Sequence, residues 1–375
     1  MKRSSAYALA RTYAARVAGG KFFHALSTYL REYHAIADDP ERADLLLCNV
    51  STTLAEIVRA RLRGNRVALR VDGRYVYRLT PSMVAHLPRI VRWTVPVAQW
   101  IPVWSDALAS LANAAVGNWR VDLRMRLAYG IIFQSAFARD LAPRWATRKP
   151  HVVIHNAALQ AGEVDAAPFS SNDSGVRLVA TYVGDRAEKR LIDAIRFVEW
   201  CNATGRSDVT LTNLGYGNEE ASRASPELRY AVEASDHVRT SPRFETVGAT
   251  ERSVVRSSHM YMHLAQRDAF PNAVIEAMAH GLPVIGLDDG GMREVVGDAG
   301  VLVPAPPHPH GRFAAALVAS DLPALDDACI ATAMDLILVD LDGYRIRALR
   351  RAHSDLAMGV IANQYDATVR RWASE

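Results

Sequence analysis

Apolar residues along this chain fall into two kinds of stretch. The first is a short unbroken run, as in Asp44-Leu45-Leu46-Leu47-Cys48-Asn49-Val50, Val67-Ala68-Leu69-Arg70-Val71 and Pro283-Val284-Ile285-Gly286-Leu287. Runs so short and so apolar predict central strands of a parallel sheet covered on both faces. The second kind has helical spacing. Ala273, Val274, Ile275, Ala277, Met278 and Ala279 predict a short buried helix. It starts with Pro271 in its first turn, where a missing N–H costs nothing, and stops at Gly281, which suits a left-handed end, before Pro283. Val360, Ile361, Tyr365, Val369 and Trp372 mark one face of an amphipathic helix within 358–372. Helix alternating with buried strand implies an α/β protein with parallel sheets, in which ligands bind beyond the carboxyl ends of the strands. Asp72-Gly73-Arg74 lies at such an end, which makes Asp72 a candidate active-site group; the alternative is that Asp72 merely starts a turn with Gly73.

Composition fixes the class more than the chemistry. At 375 residues with 50% apolar and 8% aromatic side chains, the chain can fill two cores, and a folded chain is expected. Cys48, Cys201 and Cys329 are far apart and odd in number, which argues against a disulfide framework or zinc cluster. All three are expected to be buried structural thiols in a reducing cytoplasm. No apolar run approaches the roughly 18–20 residues of a membrane span. The opening MKRSSAYALARTYAARVAGG is acid-free and amphipathic, as organellar transit peptides are, and lacks the long apolar core of a secretory signal; with Gly19-Gly20 following at once, a folded first element is expected in place of a transit peptide. A net charge of +4 is modest, and no basic run is interleaved with aromatics, so nucleic acid is not an expected partner.

The chemistry concentrates between Asp268 and Pro304. Asp268 and Glu276 stand eight apart on either side of the helix start. The unpaired N–H groups and positive dipole end at Pro271–Ala273 suit a phosphate or diphosphate. Glu276, about one turn in, can accept two hydroxyl protons from a vicinal diol such as ribose. Asp268, just before the helix, can reach hydroxyls of a group beyond the phosphates. Taken alone, acidic residues early in a helix are also explained by dipole stabilisation.

This segment resembles the signature of the retaining glycosyltransferases of family 4, which have GT-B architecture. In that family a Glu, seven residues and a second Glu precede Ala-any-Ala-any-Gly-any-Pro-Val. Here Asp268, seven residues and Glu276 precede Ala277-Met278-Ala279-His280-Gly281-Leu282-Pro283-Val284. Gly290-Gly291-Met292-Arg293-Glu294 and the following Gly300-to-Pro304 are similar to the family's next segments. Upstream, Ile131–Phe137 resembles the end of such an enzyme's first domain, Val153–Asn156 its exit strand, and Leu178–Gly184 the first strand of its second domain. The resemblance implies two Rossmann-like domains with parallel sheets facing an interdomain cleft. Residues 1–160 would bind acceptor, 161–356 a nucleotide sugar, and 357–375 would form a helix crossing back to the first domain.

Implied site residues follow from the same likeness. Lys189 and Arg186 would clamp the donor diphosphate, joined by Asp268 as a catalytic group; Asp72 is the catalytic candidate that its strand-end position, not the likeness, supplies. Glu276, Phe270, Pro271, Asn272, Ala273, Gly184, Gly290 and Gly291 would bind donor, the glycine pair by allowing its close approach. Gly19 and Gly20, resembling a glycine turn that opens a helix, would face the acceptor. No metal and no cofactor are implied beyond the nucleotide diphosphate sugar; the acceptor would be a glycan, a lipid-linked molecule or a small molecule. Three departures stand out: Asp268 is one methylene shorter than Glu, Asp185 occupies the usual arginine position with Arg186 displaced beside it, and no histidine stands near Asp72. They keep two other readings open, a nucleotide-sugar epimerase of the same fold and a non-enzymatic partner subunit. The stretch from Trp93 to Trp104 gathers three tryptophans with flanking arginines. It suits either peripheral contact with the inner membrane face or packing against protein. His308-Pro309-His310 reads as a solvated loop.

Overall fold

The computed structural model describes residues 7–11, 18–72, 106–159, 175–181, 189–206, 208–215, 226–241, 254–255, 257–306 and 322–375. Two units divide the chain, one made of Met1–Leu159, Arg312–Ala314 and Leu356–Glu375, the other of Gln160–Gly311 and Ala315–Asp355.

The first unit holds β1 (Tyr7–Leu9), α1 (Ala18–Tyr33), β2 (Leu45–Asn49), α2 (Leu54–Leu62), β3 (Arg66–Val71), α3 (Asp106–Leu127), β4 (Gly130–Phe133), α4 (Ala136–Asp140) and β5 (His151–Val153). Its five strands are parallel and lie in chain order, β1 to β5. β2 and β4 are buried along their whole length, as their unbroken apolar runs predict. Ser135 ends β4 and begins α4, its hydroxyl accepting from the Ala138 amide at 3.0 Å.

The second unit holds β6 (Val176–Thr181), α5 (Leu191–Ala203), β7 (Val209–Leu214), α6 (Pro226–Glu233), β8 (Val238–Ser241), β9 (Met260–His263), α7 (Asn272–Ala279), β10 (Val284–Leu287), α8 (Met292–Val296), β11 (Gly300–Val303), α9 (Asp327–Val339) and α10 (Leu341–Arg350). Its parallel sheet runs β11-β10-β9-β6-β7-β8. Strand order therefore reverses between β6 and β9. Loops leaving these two neighbours turn to opposite faces and leave a crevice at their carboxyl ends. Leu178, Phe197, Met260, Met262, Ile285 and Met334 belong to the core between sheet and helices.

The last helix, α11 (Met358–Ser374), belongs to the first unit and packs on α1, β1, β2 and β3. Its buried face is Ile361, Ala362, Tyr365, Thr368, Val369, Trp372 and Ala373. Trp372 lies over β4 so closely that a Cβ on Gly130 would fall 2.6 Å from its ring. Arg66 closes the helix by donating to the Trp372 and Ala373 carbonyls at 2.9 and 3.2 Å.

Several expectations are corrected. Val360 is 43% exposed, off the buried stripe. Pro271 is not in the first turn of α7 but caps it from outside, with φ −70° and ψ 114°. Gly19 and Gly20 are not a turn ahead of α1; both lie in its first turn. Cys48 and Cys201 are buried, whereas Cys329 is half-buried in the first turn of α9, where its thiol donates to Asp326 at 3.2 Å. Among the described residues no helix is long and apolar enough to cross a membrane. Trp93–Trp104 and His308-Pro309-His310 lie outside the described residues.

Candidate functional site

The crevice at the β6/β9 reversal brings together residues about eighty positions apart. β6 ends at Thr181, and the chain returns at Lys189, immediately before α5; β9 ends at His263 and leads through 264–271 into α7. Lys189 Nζ donates to Asp268 Oδ2 at 2.6 Å. Their side chains are 20% and 21% exposed, so water screens the pair only partly and one face of it stays open to a ligand. His263 Nε2 stands 3.8 Å from the same oxygen. Burial pushes the His263 pKa down to about 4; Asp268 opposes the shift and Lys189 adds to it, so the ring is neutral near pH 7. Tyr261 stacks on that ring, and burial raises its phenol pKa, with Glu276 and Asp268 adding to the rise.

The neighbouring backbone is shaped to hold this arrangement. Arg190, not a glycine, takes a left-handed conformation at φ 55° as the residue before α5. Its guanidinium is buried and donates to Asp193 at 2.9 Å and to the Pro323 carbonyl at 3.0 Å, contacts that offset the strain of a side chain at positive φ. On the other side, Asp289 accepts from the Gly290 amide at 2.7 Å and the Arg267 amide at 3.2 Å. The Gly291 amide donates to the Asp268 carbonyl at 2.8 Å. A Cβ on Gly290 would lie 2.3 Å from the Asp268 carbonyl oxygen, and one on Gly291 2.0 Å from that of Ala269. The glycine pair is therefore required by the protein's own loop, a reason that sequence reading assigned to a ligand.

α7 presents its amino end to this loop. Pro271, the residue before its first turn, has no side chain with which to cap it. Phe270 and Pro271 are buried, Asn272 and Ala273 half-buried, and Glu276 exposed on the same helix. A helix amino end beside an ammonium is suited to an anion, and Glu276 and Asp268 supply hydroxyl acceptors on either side.

In the other unit Asp72 is no free turn-former. Its carboxylate contacts Arg70, which is fully buried, and its carbonyl accepts from Gln134 Nε2. Arg70 also donates to Asn156 Oδ1 at 2.6 Å and lies 4.5 Å from the Phe22 ring centre. Burial lowers the Arg70 pKa, with Tyr365 of α11 opposing. Gly184 and Arg186 lie outside the described residues. His263, Arg190, Asp289 and Arg70 escaped sequence reading; the one available signal was an ionisable residue at or beside the end of an apolar run, as at His263 and Arg70.

The two parallel-sheet α/β units define a GT-B protein with Rossmann-like halves. Residues 177–320, which contain the crevice, match the family model described as Glycosyl transferases group 1. Solved structures of the same fold include sucrose-phosphate synthase from Thermosynechococcus elongatus, 18% identical, with TM-score 0.57 over 95% of this chain and 78% of that one. The pneumococcal O-GlcNAc transferase GtfA in complex with UDP and GlcNAc is 15% identical, with TM-score 0.54 over 87% of this chain; the match spans 56% of the pneumococcal protein. Anabaena HepE in complex with UDP-glucose is 14% identical, with TM-score 0.52 over 92% and 82% of the two chains. None of the curated proteins matches the chain in sequence.

Proposed function

We propose that this protein is a retaining, metal-independent glycosyltransferase that moves a sugar from a nucleotide diphosphate sugar to a glycan, lipid-linked or small-molecule acceptor on the cytoplasmic side. The observation that carries the reading is the Lys189–Asp268 pair, set at the β6/β9 reversal in front of the start of α7. The match of residues 177–320 to a glycosyltransferase family model, and the UDP and UDP-glucose bound to GtfA and HepE, support it.

In this reading the diphosphate lies against the amides of Asn272 and Ala273, with Lys189 and Arg186 around it. Their positive charge stabilises the negative charge that builds on the diphosphate as the bond to the sugar breaks, so no metal ion is needed for that task. Glu276 holds the ribose diol. Asp268, released from Lys189, accepts from hydroxyls of the donor sugar, and Gly184 with the 290–291 turn leaves room for it. Asp72, Gly19 and Gly20 serve the acceptor. Retention rests on the resemblance to family 4.

The test is a thermal-shift and hydrolysis panel of UDP-, GDP-, ADP- and dTDP-sugars on the wild type, Lys189→Ala and Glu276→Ala. One donor is expected to stabilise the wild type and be slowly hydrolysed by it alone. Glu276→Ala is expected to keep its fold, since Glu276 is exposed, and to lose most turnover. Near-normal turnover in that variant, or no response of the wild type to any donor, sinks the reading.

A further inference from the structure

Two nitrogens, Lys189 Nζ and His263 Nε2, lie near the same carboxylate oxygen of Asp268, Oδ2. Lys189 Nζ holds Oδ2 at 2.6 Å, while His263 Nε2 waits 3.8 Å away, too far for a hydrogen bond. The two neighbours differ in freedom. Lysine carries its ammonium on a flexible four-carbon stem. The imidazole ends a central strand, is 6% exposed, and stacks on Tyr261 with ring centres 6.2 Å apart. The pocket it shares with Lys189 is otherwise lined by Ala180, Thr181, Arg190, Leu191 and Ala194 on the facing elements.

Nε2 of His263 is buried and, among the described residues, has no hydrogen-bond partner. Such a nitrogen is uncommon in a folded protein and calls for an explanation, which here is the oxygen it faces. An anion arriving at the α7 end draws Lys189 toward itself. Asp268 then loses a donor and gains a like charge nearby, the two conditions that favour its protonation or displacement. A neutral imidazole carrying its proton on Nε2 restores a donor without adding charge, and the gap to close is about 1 Å.

We propose that His263 is a positioning residue that takes over the Asp268 carboxylate when Lys189 is drawn away, keeping Asp268 ionised and in place. The ligand that draws the lysine rests on the donor-site reading above; the exchange of partners does not. Only hydrogen bonds change, and no proton leaves either residue.

Imidazole 15N and proton NMR tests the exchange directly, with His263→Gln identifying the signal. In Lys189→Ala, and in Lys189→Met where the stem's packing is kept, the His263 Nε2–H resonance should move downfield without any ligand. An unchanged resonance in both overturns the proposal whatever the protein binds. UDP added to wild type should produce the same movement; UDP bound with no movement also overturns it. Movement in the lysine variants from a protein that binds no UDP, GDP or ADP supports the exchange and sinks the donor reading instead. Turnover gives the second readout. His263→Phe should bind UDP as wild type does, keep KM for the donor within about threefold and lose at least tenfold in kcat, and His263→Gln, which retains an N–H donor, should recover part of that loss. Full kcat in His263→Phe overturns the proposal.

Discussion

At the scale of single residues, buried ionisable groups control what the protein tolerates. His263 has a native pKa near 4. Its unfolded value is about 6.5. Between these values the unfolded chain binds a proton that the native ring refuses, so stability falls as pH drops through that window and is flat above it. At pH 5 the loss is about 2 kcal/mol. Urea unfolding of the second unit at pH 7.5 and 5 should show that extra loss in wild type and not in His263→Gln; equal losses would mean the ring is not buried neutral. Asp72 makes a second case. Removing it leaves Arg70 without its carboxylate in a fully buried position. Asp72→Ala is therefore expected to cost about 3 kcal/mol of stability besides any effect on turnover. A variant as stable as wild type but inactive would give Asp72 a purely chemical role.

At the scale of elements, a hydrophobic pattern reveals a helix better than it reveals which face is buried. α11 was legible because Ile361, Tyr365, Val369 and Trp372 recur at helical spacing, yet Val360 is exposed while Ala362, Thr368 and Ala373 are buried. Small and weakly polar side chains fill the tight parts of that contact, and periodicity gives them no weight. One tight point is Trp372 over Gly130, where an added Cβ would overlap the ring. Trp372→Ala should cost about 3–5 kcal/mol through the cavity it leaves. Gly130→Ala should cost about 1–3 kcal/mol through overlap with the ring. Combined, they should cost less than their sum, because the cavity relieves the overlap. Chemical denaturation of the four proteins measures this, and simple additivity would place the two residues apart. The α7 segment was legible in the same way as α11, because its proline, glycine and carboxylates are close in sequence. Its junction with Lys189 was not, because that contact depends on β9 lying beside β6, and strand order is not written in local spacing.

At the scale of the whole molecule, the parallel α/β architecture was readable because strands covered on both faces have no polar side to obscure them. The contacts of Asp72 with Arg70 and of Asp268 with His263 were hidden, since each depends on burial that tertiary packing alone creates. A ligand at the β6/β9 crevice should act on a small part of the chain. Amide hydrogen exchange with and without UDP is expected to show new protection at 189–191, 263–276 and 288–291, with little change in α11 or β1–β5. Protection confined to the first unit would place the nucleotide elsewhere.

The membership of α11 in the first unit has a further consequence, for the order in which the protein is made. A ribosome delivers the amino end first, so β1 to β4 are complete long before Trp372 emerges to cover them. The second unit needs nothing beyond Asp355. It is the half that can close its core during synthesis, while the half made earliest is finished last and leaves apolar sheet open to chaperones until the final helix arrives.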